Sequence, residues 1–198
     1  MKMEALTREE IKEEESYSYR HLSSCSFPKD ILWASFDHCT FEKVDFIGAD
    51  LTRMDFSHCT FLHCDFSNAT FTKNGFKNLT FQDCKMIGVN MVEVNGTKIT
   101  FENCLLRYAN FNDAKLKEVL FSNCHIEEGS FSGTTLKKTE FQDCSLQKAD
   151  FYQTSLEGLD LSHCQIEGIK VLPKNLKGCA VSLEQALDFI SLLGVIIK

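Results

Sequence analysis

An apolar residue at every fifth position constrains this chain more than any other feature of its sequence. The series starts at Phe36 and runs through Phe41, Phe46, Leu51, Phe56 and Phe61 to Val171, filling 28 slots of which only Gly96 lacks an apolar side chain. A chain that is 43% hydrophobic overall does not produce such a run by chance. Neither a helix of about 3.6 residues per turn nor a strand of period two stays in phase with it, so the repeating unit is a short extended piece followed by a turn.

A second inward slot lies two residues before each of these central residues. It carries small or modest side chains, among them Ala34, Cys39, Val44, Ala49, Cys59, Cys64, Ala69 and Cys84. Strand alternation places both slots on one side and turns the other three positions outward. Two residues after the central one stand Gly48, Gly88, Gly133, Gly158, Gly168 and Gly178, joined by Asn68, Asn78, Asn103 and Asn123. These residue types tolerate positive φ, as the third position of a type II turn requires.

The number of units in one coil is also legible. Cys64, Cys84, Cys104, Cys124, Cys144 and Cys164 recur every 20 residues, and so do Phe41, Phe61, Phe81, Phe101, Phe121 and Phe141. Four pentapeptides therefore close one turn, and the expected fold is all-β: a right-handed, four-sided parallel β-helix with a C-terminal helix and short strand. At about 4.8 Å per coil, seven coils make a rod on the order of 34 Å long. The expected division is an acidic N-terminal segment over 1–24, the β-helix over 25–178, and a cap and dimerisation element over 179–198. Thr7 and Glu10 fit a capping box, which suits a short helix near the N-terminus.

Composition narrows the function. The net charge is −7, and residues 1–65 hold 13 acids against 7 bases while the remainder is nearly balanced. DNA binding needs a concentrated basic face, so direct nucleic-acid contact is not expected, and an acidic rod suits a basic partner. The outward carboxylates of the early coils, Asp45, Asp50, Asp55 and Asp65, are the expected partner-facing surface. No apolar run approaches the roughly 20 residues of a membrane span and no signal peptide is apparent, which points to a cytoplasmic protein. Ten cysteines without a C-x2-C spacing read as small buried fillers with free thiols and ordinary pKa values, and no metal or cofactor is expected. His38 and His58 should stack on the outside, where a metal pair is the minority reading. With no pocket, nucleophile elbow or phosphate loop in the pattern, the chain does not read as an enzyme.

Two interruptions fall on the first face: Asn74–Gly75 puts a polar residue in an inward slot, and Asn95–Gly96 removes a central side chain one coil later. Structural slack is the plainer reading and a hinge the functional one. After Pro173 the period ends. Ser182 and Gln185 form a capping-box pair, and Leu183, Ala186, Leu187, Ile190 and Leu193 follow at helical spacing before Gly194 and the β-branched Val195, Ile196 and Ile197. An apolar helix and strand at a solenoid end suit a two-fold interface built from Leu183, Leu187, Ile190, Leu193, Val195, Ile196 and Ile197.

The repeat from about Ile31 to Leu176, and above all the closing sequence Leu159-Asp160-Leu161, Ile166 to Val171, Val181-Ser182-Leu183 and Leu192 to Ile197, resembles the quinolone-resistance (Qnr) pentapeptide-repeat proteins and their loopless relatives. The resemblance implies a rod-shaped homodimer that mimics B-form DNA, binds DNA gyrase or topoisomerase IV and protects them from fluoroquinolones. The unbroken register leaves no room for the two loops of better-known members. A pentapeptide-repeat scaffold for another protein partner is the alternative.

Overall fold

The computed structural model describes residues 3–28, 31 and 33–192. It is a parallel β-solenoid of about seven coils, here counted from one (residues 34–53) to seven (154–173), with one short helix, Leu183–Leu192, at its C-terminal end. Every strand pairing is parallel and coils stack with a 20-residue offset, as in Phe41↔Phe61, Phe61↔Phe81, Phe81↔Phe101 and Phe101↔Phe121.

The inward slots are those the period assigns. Central residues stack ring on ring down the second face: Phe41, Phe61, Phe81, Phe101, Phe121 and Phe141 have centroids 4.8–5.0 Å apart and planes within 14° of parallel. The spacing is that of hydrogen-bonded strands, so each ring rides on its own strand, and neighbouring columns meet these rings edge-on. A buried ring contributes roughly 1.5–3 kcal/mol by area, enough in number to support a core only a few side chains wide.

The slot two residues earlier does more than fill space. Each cysteine there also directs its Sγ at the carbonyl of a central residue in the coil below: Cys64 to Phe41, Cys84 to Phe61, Cys104 to Phe81 and Cys124 to Phe101, at 3.3–3.4 Å. Thr134 donates its hydroxyl to the Phe111 carbonyl in the same way at 2.7 Å. Asn74 is the strongest case, its Nδ2 bonding the carbonyls of Leu51 and Met54 at 2.8 and 2.9 Å. A small donor, not merely a small apolar group, suits this slot, because the carbonyls it meets are buried.

The corners are of two kinds. On the third and fourth faces the amide after each corner bonds back across a tight turn, as Ala49 to Phe46 at 2.9 Å and Met54 to Leu51 at 3.0 Å. On the first and second faces the chain runs as strand, reaching eight residues in Gly75–Gln82, Asn95–Glu102 and Lys115–Ser122. The residue two after the centre takes positive φ on both kinds of face, glycine or not: His38 at 54°, Lys43 at 53°, Gly48 at 62°.

Coil seven departs from this plan. Its first two faces adopt the tight turn, with Leu159 bonding back to Leu156 at 3.1 Å and Cys164 to Leu161 at 2.9 Å. Tight turns do not lie flush on the broad strands of coil six, and the ladder between 135–143 and 155–163 is lost there. Thr135–Lys137 and Glu140–Gln142 pair only with Lys115–Ser122 beneath them.

The solenoid also extends further toward the N-terminus than the 1–24 division expects. Glu15–Ser18 pairs with Ala34–Asp37, Arg20–Ser23 with Thr40–Glu42, and Tyr17 stacks on Phe36 at 5.3 Å. Leu6, Ile11, Tyr17, Leu22 and Phe27 are buried against this first layer. Around Thr7 the helix is a single 3-10 turn, Arg8–Glu10, held by the Glu10 carboxylate accepting from the Thr7 amide at 2.7 Å.

Candidate interaction surfaces

The four acidic residues singled out from the sequence do not form one patch. Asp45 and Asp65 share a column on the third face, where they are bridged coil to coil, while Asp50 lies on the fourth face and Asp55 on the first. They form a girdle around the N-terminal coils. Asp45, Asp50 and Asp55 are exposed and have no ion-pair partner among the described residues, whereas Asp65 is half-buried and pairs with Lys85 at 3.2 Å. The Asp45 and Asp50 carboxylates each accept the amide two residues on, from Ile47 and Thr52, which fixes them at the corner without neutralising them.

Beside the girdle stands a cluster that spacing only half anticipates. His38 and His58 stack at 4.3 Å with planes 12° apart, and Tyr19 extends the stack over His38 at 4.9 Å. Both Nδ1 atoms meet the carboxylate of Asp37, at 2.8 and 2.9 Å, and Ser57 donates to it at 2.7 Å. The Ser57 hydrogen bond, with the two imidazoles and against some desolvation, holds the Asp37 carboxyl well below the usual carboxylate range. Asp37, His38 and His58 are the three side chains among the described residues whose ligating atoms gather within 4.8 Å, the group best placed to hold a metal ion. The 20-residue spacing signals the His pair, but nothing in it points to Asp37.

On later coils the first face changes sign. Lys77, Lys98, Lys115, Lys117, Lys137 and Lys138 project from it, all exposed, with Glu118 between Lys117 and Lys138 at 3.9 Å from each. This lysine face is invisible in the overall balance of charge, because its members are scattered through the sequence until the coil stacks them.

At the C-terminal end Ser182 and Gln185 close the capping box expected of them, with Ser182 N to Gln185 Oε1 at 2.8 Å and Gln185 N to Ser182 Oγ at 3.2 Å. Gln185 then uses its Nε2 on the carbonyls of Leu161 and Cys164, at 2.9 and 2.7 Å. It serves the last coil as Asn74 serves the corner between coils one and two. Leu183 and Leu187 are 84% and 52% exposed, and Ile190 is half-buried beside a groove lined by Pro173, Leu176, Val181 and Phe189. Leu193, Val195, Ile196 and Ile197 lie outside the described residues.

Asn74–Gly75 and Asn95–Gly96 open the eight-residue strands of coils three and four, paired to each other through Gly75↔Asn95. The space left by Gly96 is taken by Ile99, whose Cδ1 would lie 2.5 Å from a Cβ placed on the glycine. The cysteines are free, and burial pushes the Cys164 thiol up to about 11, above the ordinary value expected from sequence. Among the described residues no helix is long and apolar enough to cross a membrane.

No curated protein matches the sequence. Among solved structures, full-length QnrB1, a plasmid-mediated fluoroquinolone resistance protein, is 18% identical with a TM-score of 0.37, covering 91% of this chain and all of its own. HetL, a pentapeptide repeat protein involved in heterocyst differentiation regulation from the cyanobacterium Nostoc sp. strain PCC 7120, is 17% identical with a TM-score of 0.41, covering 85% of this chain and 87% of its own. The family model for a pentapeptide repeat region matches residues 54–131 and 97–171, and that for eight copies of the pentapeptide repeat matches 34–73. These matches span the same residues that the five-residue register and the four-sided coil occupy, and the chain belongs to the pentapeptide-repeat family.

Proposed function

We propose that the protein is a Qnr-type binding protein, non-catalytic and cytoplasmic, that engages a type II topoisomerase through its acidic N-terminal coils. The observation that carries this reading is the girdle of Asp45, Asp50 and Asp55, exposed on the solenoid and without an ion-pair partner among the described residues. Fixed negative charge on a narrow, regular surface is what a saddle built for DNA attracts, and the C-terminal sequence resemblance to Qnr proteins supports the same partner. DNA gyrase and topoisomerase IV are the candidates. The exposed Leu183 and Leu187 support a homodimer through the C-terminal helix, to which Ile190, Leu193, Val195, Ile196 and Ile197 would add. Light scattering checks this: a mass of twice 22.6 kDa supports it, and 22.6 kDa at tens of micromolar, on the order of a weak dimer's dissociation constant, opposes it.

The topoisomerase reading is tested by adding the protein to gyrase in supercoiling and drug-induced cleavage assays with ciprofloxacin. A dose-dependent fall in cleavage supports it, and no effect on either activity opposes it. The lysine face of coils three to six favours a second reading, a pentapeptide-repeat scaffold for an acidic protein partner, which that same negative result would leave standing.

A further inference from the structure

We propose that the break between coils six and seven is a docking cleft for an extended, basic segment of a partner protein, which adds as a strand to the open edge of Thr135–Lys137 and Glu140–Gln142. The proposal goes beyond the topoisomerase reading and does not depend on it.

Down the second-face corner each coil donates an amide to the next: Lys43 to Leu62, His63 to Gln82, Asp83 to Glu102, Asn103 to Ser122 and Asn123 to Gln142, at 2.8–3.0 Å. The first-face corner does the same, His38 to Ser57 and His58 to Lys77, at 3.0 and 2.9 Å, but the amides of Asp143 and Lys138, the coil-six members of the two series, make no such bond to coil seven. Coil seven instead spends amides on its own side chains, Glu157 N on Ser155 Oγ at 3.3 Å and Ser162 N on Asp160 Oδ1 at 2.9 Å. A row of strand donors and acceptors with no ladder partner is a template for another chain. Proteins usually cover or bend away such an edge, and here it opens instead into a cleft of about 570 Å³.

Burial points to the same place independently. Of the 28 central slots, Leu136 is the one that is not buried, and it sits on the open edge. Glu140 and Gln142 are exposed, while their counterparts one coil below, Leu120 and Ser122, are half-covered. An added strand would cover all three.

Charge selects the occupant. The cleft is lined by Glu140 and Asp143 of coil six and by Asp160 and His163 of coil seven, and none of the three carboxylates has an ion-pair partner among the described residues. At the other end of the edge stand Lys137 and Lys138. The fitting segment is therefore extended, carries lysine or arginine opposite the three carboxylates, and is uncharged or acidic where it passes the two lysines.

The test is amide hydrogen exchange on the full-length protein, alone and with a blocked eight-residue peptide that alternates valine and lysine over the half facing the three carboxylates and valine and serine over the half passing Lys137 and Lys138. Alone, the amides of Lys138 and Asp143 should exchange at least about tenfold faster than those of Glu118 and Asn123, their equivalents in coil five. The peptide should slow them and bind with a dissociation constant below about 1 mM. A peptide N-methylated at alternate nitrogens, which keeps the charge but cannot complete the ladder, should not bind. An Asp143→Lys, Asp160→Lys variant that melts like the parent should bind at least about tenfold more weakly, a loss of 1.4 kcal/mol. Equal binding by the N-methylated peptide, or no binding at all, would overturn the proposal. So would protection already present in the free chain: independent of concentration it means the chain covers its own edge, and rising with concentration it means a second copy does.

Discussion

Coil five and coil seven obey the same five-residue period but are held in place differently. In coil five the strand Lys115–Ser122 pairs with Asn95–Glu102 at seven registered positions, and its central residues Leu116 and Phe121 are sealed. In coil seven the central residues Leu156 and Leu161 are equally buried, yet the ladder to coil six is absent on those two faces. The period thus decides which side chains face inward, whereas the corner geometry decides whether neighbouring coils share backbone hydrogen bonds. Packing and pairing are separable within one repeat.

If that separation is right, core truncations should be severe where both operate and mild where the ladder is open. Phe101→Ala, between the stacked rings of Phe81 and Phe121, should cost about 3–5 kcal/mol in denaturant melting. Leu136→Ala, at the open edge, should cost about 1 kcal/mol, since a half-covered leucine recovers only part of its burial energy. Equal losses would break the comparison.

A smaller effect concerns the side chains that stand in for a ladder. Asn74→Ala leaves the carbonyls of Leu51 and Met54 without their side-chain donor inside the rod and should cost about 1–3 kcal/mol. Gln185→Ala exposes the carbonyls of Leu161 and Cys164 at the end, where water reaches more readily, and should cost about 1 kcal/mol. Thermal melting of both variants ranks them.

Smaller again is the pH response of the Asp37 corner. Its carboxyl is depressed in the folded state, so its contribution is complete above the unfolded value of about 4 and is lost as pH falls toward the lower folded value. The parent should therefore lose stability more steeply below about pH 4 than Asp37→Asn does. Solvent screening keeps the difference modest, because the Asp37 side chain is 39% exposed. Identical acid melting curves would mean that the two imidazoles and Ser57 do not stabilise the charge. Least of all, an Asp50→Asn, Asp55→Asn double change should move stability by less than about 0.5 kcal/mol, as expected of exposed charges with no ion-pair partner among the described residues.

Much of this architecture was legible in the sequence. The period of five gave the inward slots and the repeat of 20 gave the coil, and the pairings Phe81↔Phe101 and Phe101↔Phe121 follow from it directly. The capping box at Ser182 and Gln185 was equally plain. The N-terminal coil is hidden in the sequence because Tyr17, Leu22 and Phe27 keep the five-residue spacing one position out of phase with Phe36, so a register anchored on the later coils passes over them. The break after coil six has a faint signature in Gly158, the first glycine at a first-face corner, with φ at 81°. Earlier corner glycines, such as Gly48 and Gly88, fall on the tight-turn faces, and that contrast becomes meaningful only once the two kinds of corner are known. Asp37 and the lysine face were hidden for another reason: outward residues carry no periodic constraint, so their grouping emerges only when the coils are stacked.

The account's central functional claim is that the acidic coils occupy a surface made for DNA. Competition measures this most directly: a labelled duplex is bound to gyrase and the protein is titrated in at low and at raised salt. The account predicts that the duplex is displaced, less effectively as salt rises, and that the Asp50→Asn, Asp55→Asn variant is the weaker competitor although it melts like the parent. Duplex that stays bound at every protein concentration and at both salt levels would contradict it.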